Sequence, residues 1–150
     1  MSEHKAMLTW SRGGTDFSYK TYPRNHTWRF EGGVEVPASS APQFLGDASR
    51  VDPESALVAA LSSCHLLTFL AIASNSDFVV DSYEDDPVGH LEKNAGGKLA
   101  VTRVVLRPRI VFGGAKQPTA QELEKLHDKA HRECFIANSV LTAVTVEPAA

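Results

Sequence analysis

The chain has 150 residues, 43% of them hydrophobic, a formal net charge of -3 and two cysteines. That is enough chain to bury one core, and we read residues 1–150 as a single domain. The charge excludes the basic stripe of a nucleic-acid binder. The N-terminus does not read as a secretory signal, and the central apolar stretch is interrupted by Ser62-Ser63-Cys64-His65, which argues against a membrane span. The expected compartment is the cytoplasm, where paired cysteines more often mean redox chemistry or plain core residues than a structural disulfide.

In chain order, residues 5–11 read as a first strand, Gly13-Gly14 as a turn, and residues 17–22 as a strand or a loose edge. The next segment has a period of two. Arg24, His26, Trp28 and Phe30 share one face, and Asn25, Thr27 and Arg29 share the other. Trp28 and Phe30 are therefore expected in the core with Arg24 on their side, and Arg29 in solvent. Glu31-Gly32-Gly33 is a hairpin turn and residues 34–36 the returning strand. Residues 37–51 form a Pro/Ser/Ala/Gly loop long enough to suggest a functional lid.

A helix follows over residues 52–73. Asp52 can cap it and Pro53 suits its first position. Apolar residues surround it on every side, so it is expected to be buried all round. Residues 78–90 and 98–112 read as two long strands of a hairpin closed by the 93–98 loop. On the second strand Val104, Leu106, Ile110 and Phe112 face one way, and Arg103, Arg107 and Arg109 the other. Thr119 and Glu122 have the spacing of a capping box, so a second helix starts there. Its apolar positions Leu123, Leu126 and Ala130 lead to Cys134 on the buried face. A short turn and a last strand over 141–147 complete an α+β fold with antiparallel sheets packed around helices. One copy of 150 residues cannot easily cover a helix that is apolar all round. The expected assembly is a homodimer with the two central helices at its heart.

Buried cysteines are ordinarily inert. Here both fall on buried helix faces with polar company: Ser62, Ser63 and His65 beside Cys64, and His131 and Glu133 near Cys134. A reactive thiol must ionise, and Cys64 lies too deep in its helix for the dipole to help. It needs a cation, for which Arg24 is the candidate, with Glu54 as the carboxylate that holds the Arg. Glu54 and Cys64 are ten residues apart, roughly 15 Å along one helix. If both serve one Arg, either the Glu comes from a partner chain or the loop folds across. The plain alternatives are a first-turn acid for Glu54 and a solvent-reaching Arg24. A zinc site from Cys64, His65, His131 and Cys134 is disfavoured, because adjacent helix residues point about 100° apart. No cofactor or metal is expected, and no nucleophile-elbow motif supports a hydrolase.

The run DPESALVAALSSCH resembles the central helix of the OsmC/Ohr family (osmotically inducible protein C and organic hydroperoxide resistance proteins), with its Pro-Glu opening and a Cys ten residues after the Glu. AHRECFIANSV resembles that family's second-cysteine helix and the approach to its last strand. The resemblance implies an intertwined dimer and a thiol peroxidase. Cys64 would attack an organic hydroperoxide and Cys134 would resolve the sulfenic acid to a disulfide. Glu54 would orient the Arg, and an external dithiol, lipoyl-type in some members, would reset the enzyme. Arg24 fits one branch of the family and Arg50 approximates the other; parity favours Arg24. The segment YPRNHTWRFEGGVEVPASSAP matches neither well-known branch, which points to a separate subgroup. Trp28, Phe30, Phe44 and Leu45 are candidate pocket residues. The alternative function is a dimeric, non-catalytic binder of an apolar small molecule with vestigial thiols.

Overall fold

The computed structural model describes residues 1–149 and contains two compact units, the first Met1–Ala56 and the second from Leu57 onward. In the first unit β1 (Ala6–Thr9), β2 (His26–Phe30) and β3 (Glu35–Ala38) form one antiparallel sheet in that order. The β2–β3 turn is tight because Gly32 and Gly33 sit at φ 89° and 90°, a conformation that side chains resist. Arg29 is exposed and paired with Glu35 across the sheet, as its parity predicts. Trp28 is half-buried, but Phe30 is 40% exposed, because it ends the strand beside the glycine turn. Residues 17–22 are not a strand. Their backbone folds back on itself, with the N–H groups of Thr21 and Tyr22 both donating to the Ser18 carbonyl.

The 37–51 segment is tethered rather than free to act as a lid. Ser39 N–H donates to the Val51 carbonyl (2.9 Å), and Val51 N–H donates to the Pro37 carbonyl (3.1 Å). Ser39 itself is fully buried and its Oγ accepts from Asp47 N–H. Gly46 lies so close to the Ser40 carbonyl that a Cβ there would stand 1.6 Å from its oxygen.

Helix α1 (Pro53–Asn75) starts where its sequence says it should. Asp52 accepts from both the backbone and the hydroxyl of Ser55 (2.8 Å each). It stops at Asp77, which takes a left-handed φ of 62°. Phe78 N–H then reaches back to the Ala73 carbonyl and Asp77 N–H to that of Ser74, the paired bonds of a Schellman ending. Leu61, His65, Phe69 and Ala73 form its buried stripe. The expectation of burial all round is not met within one chain: Leu67 is 63% exposed, and Ala60, Ser63 and Ala71 are open beside it. By length and hydropathy alone α1 would pass for a membrane span; its buried stripe is instead the centre of the second unit's core.

The two long strands expected after α1 are each broken in two. The first becomes β4 (Val79–Glu84) and β5 (Val88–Lys93), separated by Asp85-Asp86-Pro87. The second becomes β6 (Leu99–Leu106) and β7 (Arg109–Gly113), separated by Arg107-Pro108. Proline cannot donate to a ladder, so both strands bend at the same level. β4 pairs with β7 and β5 with β6, both antiparallel. β8 (Ala143–Val146) joins β6 in parallel, which is possible because α2 (Ala120–Glu133) intervenes as the crossover. The reciprocal capping box of Thr119 and Glu122 is present.

Phe69 and Ala73 pack with Phe78, Leu126 and Ala130, while Leu61 packs with Val104 and Leu106. Gly89 of β5 lets the sheet approach α1, since a Cβ there would lie 2.4 Å from Val58 Cγ2.

Candidate functional site

Cys64 sits in the middle of α1, half-buried, with its carbonyl accepting from Thr68 Oγ1. Cys134 caps the C-terminus of α2 and is 1% exposed. The apolar spacing of α2 carries Cys134 to the buried face, where the Cys64 thiol stands against it. Burial first, and then the facing Cys64 thiol, push the Cys134 thiol up to about 11. The Ala137 N–H, 3.5 Å from its sulfur, acts in the opposite direction. Both cysteines are free thiols. The structure thus brings together the two sulfurs that lie 70 residues apart in sequence.

Beside the thiols lies a buried polar layer. His65 is 1% and His127 4% exposed, and their rings stack with His65 Nε2 3.1 Å from His127 Nδ1. Burial depresses both imidazoles to about 4, reinforced at His65 by His127 and His131. Ser62 Oγ donates to Asp85 Oδ2 (2.5 Å), and Asp85 Oδ1 accepts from the Arg107 backbone N–H (2.6 Å). Asp85 therefore ties the middle of α1 to the bend in the second strand.

The remaining predicted residues lie in the first unit. Arg24 Nη1 donates to the Tyr22 carbonyl (2.5 Å) and Nη2 to that of Tyr19, while the guanidinium lies 3.6 Å from the centre of the Tyr22 ring. Glu54 is in the first turn of α1 with its Oε2 buried and unpartnered. Among the described residues Arg24 and Glu54 form no ion pair with each other or with any other group. Arg50 is engaged by Asp47 at 3.7 Å and by the His26 carbonyl at 3.3 Å. Among the described residues no group of three or more His, Cys, Asp or Glu side chains is placed to hold a metal ion.

A pocket of about 420 Å³ opens in the first unit beside Arg24, walled by Trp10, Phe17 and Tyr22 with Ser39 at its edge. The expected lining residues Trp28, Phe30, Phe44 and Leu45 are not among its walls. Trp10 is fixed by its Nε1–H to the Pro23 carbonyl (2.7 Å), and Phe17 lies between it and Tyr22. Sequence reasoning misses this aromatic set because it reads residues 17–22 as a strand or a loose edge. It also weighs His65 and His131 only as polar company of the thiols or as zinc ligands.

The pattern of the OsmC-like protein family matches residues 46–149. An OsmC-like protein of unknown function from Vibrio cholerae is 51% identical over 99% of this chain and 100% of its own, with a TM-score of 0.96. An organic hydroperoxide resistance protein from Legionella pneumophila shares the fold at 17% identity (TM-score 0.72, 99% and 96% covered). The organic hydroperoxide resistance protein OhrB of Bacillus subtilis shares it at 15% identity (TM-score 0.67, 99% and 98% covered). No curated protein matches the chain. With the family pattern covering more than two thirds of its length, including both thiols, and an α+β architecture shared with these structures, the chain belongs to the OsmC-like family.

Proposed function

We propose that the protein is a thiol peroxidase that reduces organic hydroperoxides. The observation that carries the reading is the burial of Cys134 against the more accessible Cys64. That is the arrangement of an attacking thiol with a resolving thiol behind it. The Cys64 thiolate attacks the outer peroxide oxygen, the O–O bond breaks, and the alkoxide leaves as an alcohol after taking a proton. Cys64 is then a sulfenic acid, reversible while a second thiol is at hand. Cys134 displaces water to give the Cys64–Cys134 disulfide, and an external dithiol, of lipoyl type in some relatives, restores both thiols. Arg24 is assigned as the cation the thiolate needs, and Glu54 as the carboxylate that positions it. The assignment rests for Glu54 on the resemblance of the Pro53-Glu54 helix start, which the family pattern covers, and for Arg24 on its having no acidic partner among the described residues. The open stripe of α1 around Leu67 supports assembly as a homodimer, since a contiguous apolar helix face needs a cover.

The test is a single-turnover titration. Fully reduced protein is mixed with one equivalent of cumene hydroperoxide, free thiols are counted and the disulfide is located by mass spectrometry. Loss of two thiols per chain, joined as Cys64–Cys134 and prevented by Cys64→Ser, is the expected result. Survival of both thiols would overturn the peroxidase reading. It would favour the second one, a binding protein whose apolar ligand occupies the Trp10–Phe17–Tyr22 pocket.

A further inference from the structure

The pocket of the first unit is built from more than apolar walls. Trp10, Phe17 and Tyr22 present three rings set at angles: Trp10 and Phe17 have centroids 6.1 Å apart and planes 59° apart, and Phe17 and Tyr22 5.2 Å and 42°. Trp10 is anchored by its Nε1–H on the Pro23 carbonyl, so its ring is a fixed wall. Arg24 adds one full charge to the lining, its guanidinium lying on the Tyr22 ring. A guanidinium has five N–H donors, and the Tyr22 and Tyr19 carbonyls take one from each Nη. Three donors remain, with no acidic partner among the described residues. His26, also in the wall, has no nitrogen to spare: Nδ1 donates to the Arg24 carbonyl (2.8 Å) and Nε2 accepts from Trp28 Nε1–H (3.0 Å). Ser39 is the reverse case. It is fully buried at the pocket edge, and its Oγ accepts from Asp47 N–H, which leaves its own proton to donate. No carboxylate stands among the walls. Flat aromatic faces beside an unpaired cation disfavour a cationic guest, because Arg24 already covers the Tyr22 face and would repel it.

We propose that this pocket binds an arene carboxylate, a one- or two-ring aromatic acid. Its ring lies against Trp10, Phe17 and Tyr22, and its carboxylate takes the donors that Arg24 has free. The size agrees: about 420 Å³ is near the small end of ligand pockets and suits a compact planar acid better than a long acyl chain. The two halves of the ligand do different work. Stacking on the tilted rings supplies contact area, and the charge-assisted hydrogen bonds to the guanidinium fix the orientation. The carbonyls of Tyr19 and Tyr22 already hold Arg24 in place, so the guest does not have to order it. The site uses residues of the first unit alone and needs neither thiol, so it goes beyond the peroxidase reading and does not rest on it. It also differs from a site for a purely apolar molecule, in which Arg24 would stay unpaired.

The test is calorimetric titration of the whole reduced chain at low salt with three probes: 1-naphthoate, 1-naphthalenemethanol and octanoate. The expected order has 1-naphthoate tightest, with the neutral alcohol weaker by about tenfold or more. Octanoate, which has the charge without the ring, is weaker as well. Bound 1-naphthoate shifts the Trp10 indole N–H resonance, assigned by its loss in Trp10→Phe. Arg24→Gln abolishes the preference for the acid over the alcohol, Trp10→Ala weakens both by about fivefold, and Cys64→Ser changes neither. Equal binding of acid and alcohol by the wild type overturns the proposal, even if Arg24→Gln fails to fold. So does octanoate binding as tightly as 1-naphthoate, a Trp10 signal that does not move, or no binding of 1-naphthoate at millimolar concentration. Binding of 1-naphthoate by a protein whose thiols survive cumene hydroperoxide would sink the peroxidase reading alone.

Discussion

Lowering the pH from 7 to 5 should destabilise this protein through the two stacked imidazoles. In the unfolded chain a histidine takes up its proton near 6.5; in the fold His65 and His127 do so only near 4. The unfolded state therefore binds more protons throughout that interval. The contribution is fully present above about pH 7, falls as the pH drops through 6.5, and levels off below 4. By pH 5 each ring has lost roughly 2 kcal/mol, and the pair about 4 kcal/mol, against a typical domain stability of about 5–15 kcal/mol. The carboxyls held low by hydrogen bonds, such as Asp52 and Glu122, act mainly below this window. The assay is urea unfolding at pH 7, 6 and 5 at one protein concentration, so that any subunit equilibrium is held constant. The slope of stability against pH in His127→Asn should be about half that of the wild type. A wild-type stability flat to within about 0.5 kcal/mol from pH 7 to 5 would refute the reasoning, because rings that protonate freely in the fold are not buried as described.

Three further outcomes are expected. Leu67→Glu, on the open stripe of α1, should convert a dimer to a monomer in light scattering without loss of helical circular dichroism; a dimer that tolerates the charge would show that another face is covered. Gly89→Ala should cost about 1–3 kcal/mol, because the new Cβ meets Val58. Adding Val58→Ala should recover part of that loss in thermal melts, which a purely conformational effect of glycine would not allow. Thr119→Ala removes the reciprocal cap of α2 and should lower stability by about 1 kcal/mol in urea unfolding.

Local signals made much of the fold legible before the structure. Asp52-Pro53 and Thr119-x-x-Glu122 carry their own hydrogen-bonding instructions, and both helices begin where those residues place them. The glycine pair at 32–33 likewise closes the β2–β3 turn. What was not legible depends on distant partners. Pro87 and Pro108 are visible in sequence, but that their bends fall at one level and are tied by Asp85 to α1 is a tertiary fact. The parity that put Phe30 in the core describes an endless strand, and this one ends at Phe30. At the site, the meeting of Cys64 with Cys134 was implied by family resemblance and by two helical spacings. The stacking of His65 on His127 was not, since nothing local distinguishes a histidine that pairs with another from one that binds a metal. The Arg24–Glu54 pair is the reverse case: chemically reasonable from sequence, and not formed among the described residues.

The parallel strand β8 carries a consequence for how the second unit is made. Its partner β6 lies 40 residues earlier, with Arg103 opposite Ala143. The β5–β6 hairpin and α2 are both local and can form early, but the outer edge of β6 stays unpaired until the last strand arrives. Until then Val104 and Leu106 belong to an exposed edge, the kind of surface that pairs with other chains. Changes that weaken β8 are therefore expected to appear first as aggregation during refolding, measurable as a yield that falls with protein concentration, before they appear as a lower melting temperature. The order of the chain, as much as its final contacts, decides where this fold is vulnerable.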